Sequence, residues 1–461
     1  MKDSIDFGSM NISTLFRKLL IPTVLGMVFS ALFVITDGIF VGKGIGSDAL
    51  AAVNITAPLF MIAAGIGLMF GVGASVVASI HLSQGKRKVA SINITQAIAF
   101  SALLILILSA LCLYFIEPLA RLLGSSDRLL PLAVEYMAWY IPFLVFYEVL
   151  NIGMFCIRLD GSPTYAMMCN AVAAILNIIL DYIFIFELGW GIMGAAFATS
   201  LGTVVGGLMT LIYLLRFSRT LHLCRIKLSI KSLLLTLRNI GYMIKLGSSA
   251  FISEASIACM MFLGNYVFIR YLGEDGVAAF SIACYFFPII FMVYNGIIQS
   301  AQPIISYNFG AGQFDRVRQT IRRMIAITFT AAFVYVVFAM LRPALFAGLF
   351  TTDPELIVIV EKVLPVYIAG MAIFGLQSGV QSSFLGLGQA KISLFIALLR
   401  KVILLIPLAL ILPHFFGVMG VYYAEPIADV CSVITAVTLF LCNIRKILST
   451  ETLAKVTHTE E

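Results

Sequence analysis

Asn177 and Asp181 stand four residues apart in an otherwise apolar run, Ala174-Ile-Leu-Asn177-Ile-Ile-Leu-Asp181-Tyr182. On a helix that spacing puts both side chains on one face. Two more oxygen-bearing residues fall in apolar surroundings: Asp37, and Thr199 shortly after Gly194-Ala195-Ala196. Carboxylate, amide carbonyl and hydroxyl oxygens form the set that a hard cation such as Na⁺ accepts. A desolvated carboxylate beside a second one can instead carry a proton. A third reading needs no ion, because an Asn–Asp pair can cross-link helices by hydrogen bonds. From the residues alone, ion site and helix cross-link both stand. Glu148, Glu254, Glu425 and Asp429 complete the ionisable groups in apolar sequence. Each such group costs about 2.5–3.5 kcal/mol at bilayer depth and needs a reason. A helix-end position accounts for Glu148, Glu425 and Asp429; Asp37, Asp181 and Glu254 are expected further inside their spans.

The elements that must position these groups follow from composition. Of 461 residues, 61% are hydrophobic and 11% charged, and the mean hydropathy is +1.04. Soluble domains carry roughly 25% charged residues, so a soluble enzyme, a nucleic-acid binder and a disordered scaffold are excluded. Apolar runs of about 20 residues point to spanning helices, where barrel strands would alternate over about 10. The fold expected is an all-α polytopic membrane protein with twelve spans. They lie near 15–40, 51–80, 93–115, 132–155, 165–187, 193–216, 240–271, 277–308, 318–341, 358–385, 392–413 and 418–442. The first run, Leu19–Thr36, has no small-residue cleavage site and is read as a retained helix. Lysines and arginines crowd the ends and even-numbered loops, as at Lys86-Arg87-Lys88, Arg216–Lys245, Arg316–Arg323 and Lys391 with Arg400-Lys401. Odd-numbered loops hold Lys43, Arg121, Arg128, Arg270, Arg342 and Lys362. The positive-inside rule then puts both termini in the cytoplasm of a cell whose cytoplasmic membrane holds the protein.

Shifting the chain by 227 residues superposes Gly85 on Gly312, Tyr140-Ile141 on Tyr367-Ile368, and Gly161 on Gly388; with one residue deleted, Gly191 meets Gly417. The expected organisation is a six-helix lobe at 1–216, a basic linker at 217–239 lying on lipid, a second lobe at 240–445, and a tail at 446–461. Six helices per repeat is even, so the lobes are related by a pseudo-two-fold axis along the membrane normal, the layout of a rocking transporter. Pro22 interrupts the first span and leaves the Lys18 carbonyl without its helical donor, which predicts a kink. Gly67-xxx-Gly71 is small-residue spacing for close helix packing rather than a nucleotide loop. The eight cysteines show no paired spacing and are read as core packing. The histidines form no metal pair, and no Ser/His/Asp set or phosphate-binding lysine is present.

Larger motifs now become visible: Pro22 with Asp37, Arg158-Leu-Asp160-Gly161-Ser-Pro163, Asn177-Ile-Ile-Leu-Asp181-Tyr-Ile-Phe184, Trp190-Gly191-Ile-Met-Gly194-Ala-Ala-Phe-Ala-Thr199, and Gln302-Pro303-Ile-Ile-Ser306-Tyr307-Asn308-Phe309-Gly310-Ala311. Together they resemble the multidrug and toxic compound extrusion (MATE) transporters, in particular bacterial exporters of the MepA-like type, over nearly the whole chain. The resemblance implies two lobes around a central cavity and antiport of drugs against Na⁺ or H⁺. It implies an N-terminal cation site of Asp37, Asn177, Asp181 and Thr199, and a Pro22 whose bending accompanies cation binding. Glu254 falls where relatives of the NorM type carry a second-lobe acid. Their helix-ten aspartate is missing from Gly375-Leu-Gln377-Ser-Gly-Val-Gln381.

The reading is an antiporter that exports lipophilic, mostly cationic compounds in exchange for Na⁺ or H⁺. It is expected to work as a monomer in the lipid bilayer, without cofactor, nucleic-acid partner or enzymatic activity. Glu254, Gln299 and Tyr140 are the candidate substrate contacts. A lipid-linked oligosaccharide flippase would need basic residues in its cavity, whereas the intramembrane charges here read as acidic. A membrane-embedded transferase would need a catalytic cluster that is not seen, and a receptor does not require twelve repeated helices.

Overall fold

The computed structural model describes residues 5–226, 229–347 and 354–449, with side chains left out at 47, 257–289, 346–347, 356, 418 and 421. The described residues are helical throughout, joined by short loops. In the first half the long helices are α1 (Ile12–Gly44), α2 (Ser47–Ser83), α3 (Arg87–Tyr114), α4 (Leu130–Leu159), α5 (Pro163–Glu187) and α6 (Gly191–Phe217). In the second they are α7 (Ile230–Gly310), α8 (Phe314–Leu341), α9 (Ile357–Gly386), α10 (Ala390–Phe416) and α11 (Val418–Ile447). Among the described residues, ten helices are long and apolar enough to cross a membrane. Their outer faces confirm that setting: Ile21, Val34 and Ile35 of α1 are 53–55% exposed, an apolar surface that lipid tolerates and water does not.

Local sequence explains the ends and irregularities. Asn11 caps α1, its Oδ1 accepting from the Ser13 N–H at 2.9 Å, which satisfies one of the first-turn donors. Pro22 sits inside α1. Pro142, which has no N–H to give, coincides with a 3₁₀ turn at Ile141–Phe143 within α4. The last turn of α5, Tyr182–Glu187, is a π-type turn, and α10 contains another at Leu399–Leu405.

The chain divides into two compact units, Met1–Phe251 and Ile252–Glu461. In the first, α1 packs along α5, α5 along α6, and α2 along α3 and α4. In the second, α8 packs along α9, and α11 along α9 and α10. The units repeat one another down to loop chemistry. Gly85 and Gly312 have φ of 77° and 71°, Gly161 and Gly388 87° and 72°, and Gly191 and Gly417 59° and 56°. These are left-handed conformations that glycine adopts without strain. At the first two pairs the following N–H also bonds back to the last helical turn, Lys86 to His81 and Gln313 to Asn308, Ser162 to Ile157 and Gln389 to Phe384. That is the Schellman ending. The register seen in sequence is therefore a register of helix ends, stops at the first two pairs and starts at the third.

Several expectations change. The spans placed at 240–271 and 277–308 lie in one helical stretch, α7, with no break at 272–276; no proline there removes a backbone donor. The basic segment 217–239 is not simply a lipid-lying linker, because residues 230–239 begin α7 and residues 218–226 are bound to the first unit. Asp160 at the end of α4 holds that strap. Its carboxylate accepts from the Tyr213 hydroxyl (2.8 Å), the backbone N–H of Arg219 (2.7 Å), Thr220 (2.8 Å) and Leu221 (3.1 Å), and the Thr220 hydroxyl (2.7 Å). Gln96 adds bonds to Thr236 and Asn239. Cys156 and Cys169 are buried as expected, but Cys431 and Cys442 are exposed on α11; Cys259 and Cys284, and the tail beyond Ser449, lie outside the described side chains or residues. Gly67 and Gly71 do bring α2 close to α4: a Cβ on Gly71 would stand 2.6 Å from the Phe155 ring.

Candidate functional site

Three helices of the first unit converge on the oxygen set. Asp37 comes from α1, Asn177 and Asp181 from α5, and Thr199 from α6. Glycine permits the approach, since a Cβ on Gly202 would lie 2.8 Å from the Ala173 carbonyl and 3.3 Å from Asn177 Cβ. The Asn177 Nδ2 donates to Thr199 Oγ1 (3.3 Å), and that hydroxyl donates to Asp37 Oδ1 (3.5 Å). Asn177 and Asp181 are fully buried and Thr199 nearly so. Asp37 and Asp181 lie within electrostatic reach of each other. Both oxygens of Asp181 and the Oδ1 of Asn177 are buried with no protein hydrogen-bond donor.

Unsatisfied buried acceptors are costly, and here they face one another across two carboxylates. The arrangement fits a cation or a proton as the missing partner. The Asn177–Thr199 bond also ties α5 to α6, so the group holds helices together as well as presenting oxygens. Sequence reading missed Tyr136, which lies beside Thr199 and within reach of Asp37 and Asp181. Its signal was the i, i+4 spacing to Tyr140, whose ring stacks on it at 5.9 Å.

The other candidates are dispersed. Tyr140 is buried in the first unit against Phe60 and Tyr136. Gln299 is buried on α7 of the second unit. Glu254, half-buried on α7, has Lys401 of α10 as its electrostatic neighbour, so it is not an acid without a cationic counterpart.

The larger correction concerns Arg400. Counted in sequence with loop cations, it lies inside α10 on the π-type turn and is 1% exposed. Its Nη2 donates to Glu425 Oε1 at 2.7 Å and its Nε to Asp429 Oδ1. The guanidinium also lies 4.1 Å from the centroid of the Phe374 ring. Glu425 and Asp429 are therefore not helix-end residues but interior partners on α11, and Glu148 likewise lies well inside α4. Nor are the intramembrane charges all acidic, since Arg158 at the end of α4 is buried as well. The signal available was Arg400 within an apolar run and two acids four residues apart.

The MatE family model matches residues 22–183 and again 249–411. The chain belongs to the MatE family. From 22 to 249 is 227 residues, the register of the internal repeat. The chain is 28% identical over 440 residues to an FAD transporter of Shewanella oneidensis, covering 93% of this chain and 94% of that protein. It is 26% identical over 447 residues to the multidrug export protein MepA of Staphylococcus aureus, covering 94% of each. A crystal structure of MATE in complex with MaD3S superposes with a TM-score of 0.86 at 25% identity, covering 97% of this chain and 98% of that one. As a MATE family member the chain is a multi-pass membrane transporter, and its relatives include multidrug exporters.

Proposed function

We propose that this MATE family member exports lipophilic, mostly cationic compounds in exchange for Na⁺ or H⁺. It does so as a monomer in the cytoplasmic membrane, with both termini cytoplasmic. The observation that carries the reading is the group of Asp37, Asn177, Asp181 and Thr199, whose buried acceptors lack donors. With both carboxylates ionised the group holds a charge of about −2, and one bound Na⁺ or proton leaves about −1. Ion and cationic substrate then compete by electrostatics. Inward movement of one charge supplies ~2.3 kcal/mol per 100 mV. A tenfold drug gradient requires ~1.4 kcal/mol. A cation bridging Asp37 to Asp181 draws α1 towards α5, and Pro22 is the point in α1 where the missing hydrogen bond lets the helix bend.

The relative named as an FAD transporter supports a second reading, export of an anionic dinucleotide. The buried chemistry favours cations, because Arg400 is already engaged by two carboxylates. The same pairing weighs against a flippase that grips pyrophosphate. The experiment is efflux from proteoliposomes under separately imposed Na⁺ and pH gradients, with a cationic dye and FAD as alternative cargoes. Dye efflux driven by either gradient supports the proposal; FAD movement without dye movement replaces it with the second reading.

A further inference from the structure

Glu148 is fully buried, and neither of its carboxylate oxygens meets a hydrogen-bond donor. It sits on α4 opposite Gly67 of α2, where a Cβ would come 3.0 Å from Glu148 Oε2. The neighbouring amide of Asn151 is turned back to its own helix, donating to the Tyr147 carbonyl at 3.1 Å. Burial itself is what acts on this group, with no contribution from a charged neighbour among the described residues. The titratable groups of α2, Asp48 and His81, lie 19 and 14 residues from Gly67, about 28 and 21 Å along the helix.

An ionised carboxylate with neither donor nor counter-charge is costly in such a place, and the neutral form costs less. Even so, the acid's O–H finds no acceptor, and an unmade hydrogen bond costs roughly 1–3 kcal/mol. Neither form of the side chain is satisfied in this conformation. A second conformation that opens the α2–α4 contact would let water or a partner reach the carboxyl. Gly67 leaves the α2 side of that contact with no side chain to hold it shut.

Glu148 is also not part of the Asp37 group. It is 12 residues beyond Tyr136, about 18 Å further along α4. Between them Tyr140, whose hydroxyl has no partner, lies within reach of Tyr136 and Tyr147. We propose that Glu148 is a second proton site of the first unit, releasing its proton to water in one conformation and regaining it in the other.

The proposal rests on the transport reading for its second test and not for its first. In the first, wild-type protein in liposomes is treated with dicyclohexylcarbodiimide, which attacks protonated carboxyls in apolar surroundings, from about pH 6 to about pH 10. Peptide mass spectrometry then reads the adduct. Labelling at Glu148 that declines as pH rises supports the proposal. Labelling independent of pH, or none at any pH, overturns it. In the second, Glu148→Gln is compared with wild type in gradient-free substrate exchange and in pH-driven accumulation. Wild-type exchange with lost accumulation is the expected result; both retained would overturn the proposal. Glu148→Asp serves as the second variant if Gln fails to fold, with pH dependence of accumulation shifted from wild type as the expected result and an unchanged profile the contrary one.

Discussion

Each unit pairs two carboxylates, on α1 and α5 in the first and both on α11 in the second, and their surroundings differ. Setting Gly191 on Gly417 places Thr199 on Glu425 and Thr203 on Asp429. On the preceding helix the 227-residue shift places Ala173 on Arg400, Asn177 on Leu404 and Asp181 on Leu408. In the second unit the positive charge is thus covalently attached, one helical turn before the position that Asn177 holds in the first. Arg400 cannot leave, so Glu425 and Asp429 are a fixed ion cluster. Among the described residues, no lysine or arginine acts on Asp37 or Asp181. On the proposed reading, the difference places exchange in the first unit and fixed packing in the second.

Breaking the fixed cluster should give the largest effect. Arg400→Met strands two buried carboxylates and should lower stability by about 3–5 kcal/mol, read as a drop in thermal midpoint of the purified protein. Arg400→Lys should recover only part of it, because an ammonium cannot form the two-pronged contact to both acids. Equal stability in Arg400→Met would mean that the cluster is not a closed ion network.

Wedging the exchange site comes next. Gly202→Ala puts a methyl 2.8 Å from the Ala173 carbonyl, forcing α5 from α6 at the level of Asn177. Overpacking of this kind costs about 1–3 kcal/mol. Gradient-driven transport should fall more than stability, because Asn177 loses register with Thr199. The matching position of the second unit is Ala428, so that helix pair already accepts a methyl there. The smallest effect is expected from Thr199→Ala. It removes two long hydrogen bonds, 3.3 and 3.5 Å, worth about 0.5–1.5 kcal/mol together. Ion affinity in transport assays should weaken modestly, and Thr199→Ser should restore it.

Much of this was legible before any coordinates. The apolar runs of about 20 residues carry the spans, and the matched glycines carry the repeat, because a φ near +70° is a requirement that sequence displays openly. Asn177, Asp181, Asp37 and Thr199 stood out because polar groups in apolar runs are conspicuous. Arg400 did not, because an arginine beside Lys401 reads as a loop charge until its two acid partners on another helix are seen. Tyr136 was hidden because a tyrosine among tyrosines carries no contrast; Glu148 was visible, but its depth in α4 and its lack of partners are facts about packing.

The central claim is that the exchanged cation binds in the first unit. Its most direct test is ion-driven dye transport by Asp37→Asn, Asp181→Asn and the charge-free combination of Arg400→Met, Glu425→Gln and Asp429→Asn in one liposome system at matched protein levels. The first two variants should lose gradient-driven transport, and the combination should keep the coupling ratio of the wild type even if its stability changes. Coupled transport surviving in Asp181→Asn, or lost coupling in a folded second-unit variant, would place the exchange site in the other half of the molecule.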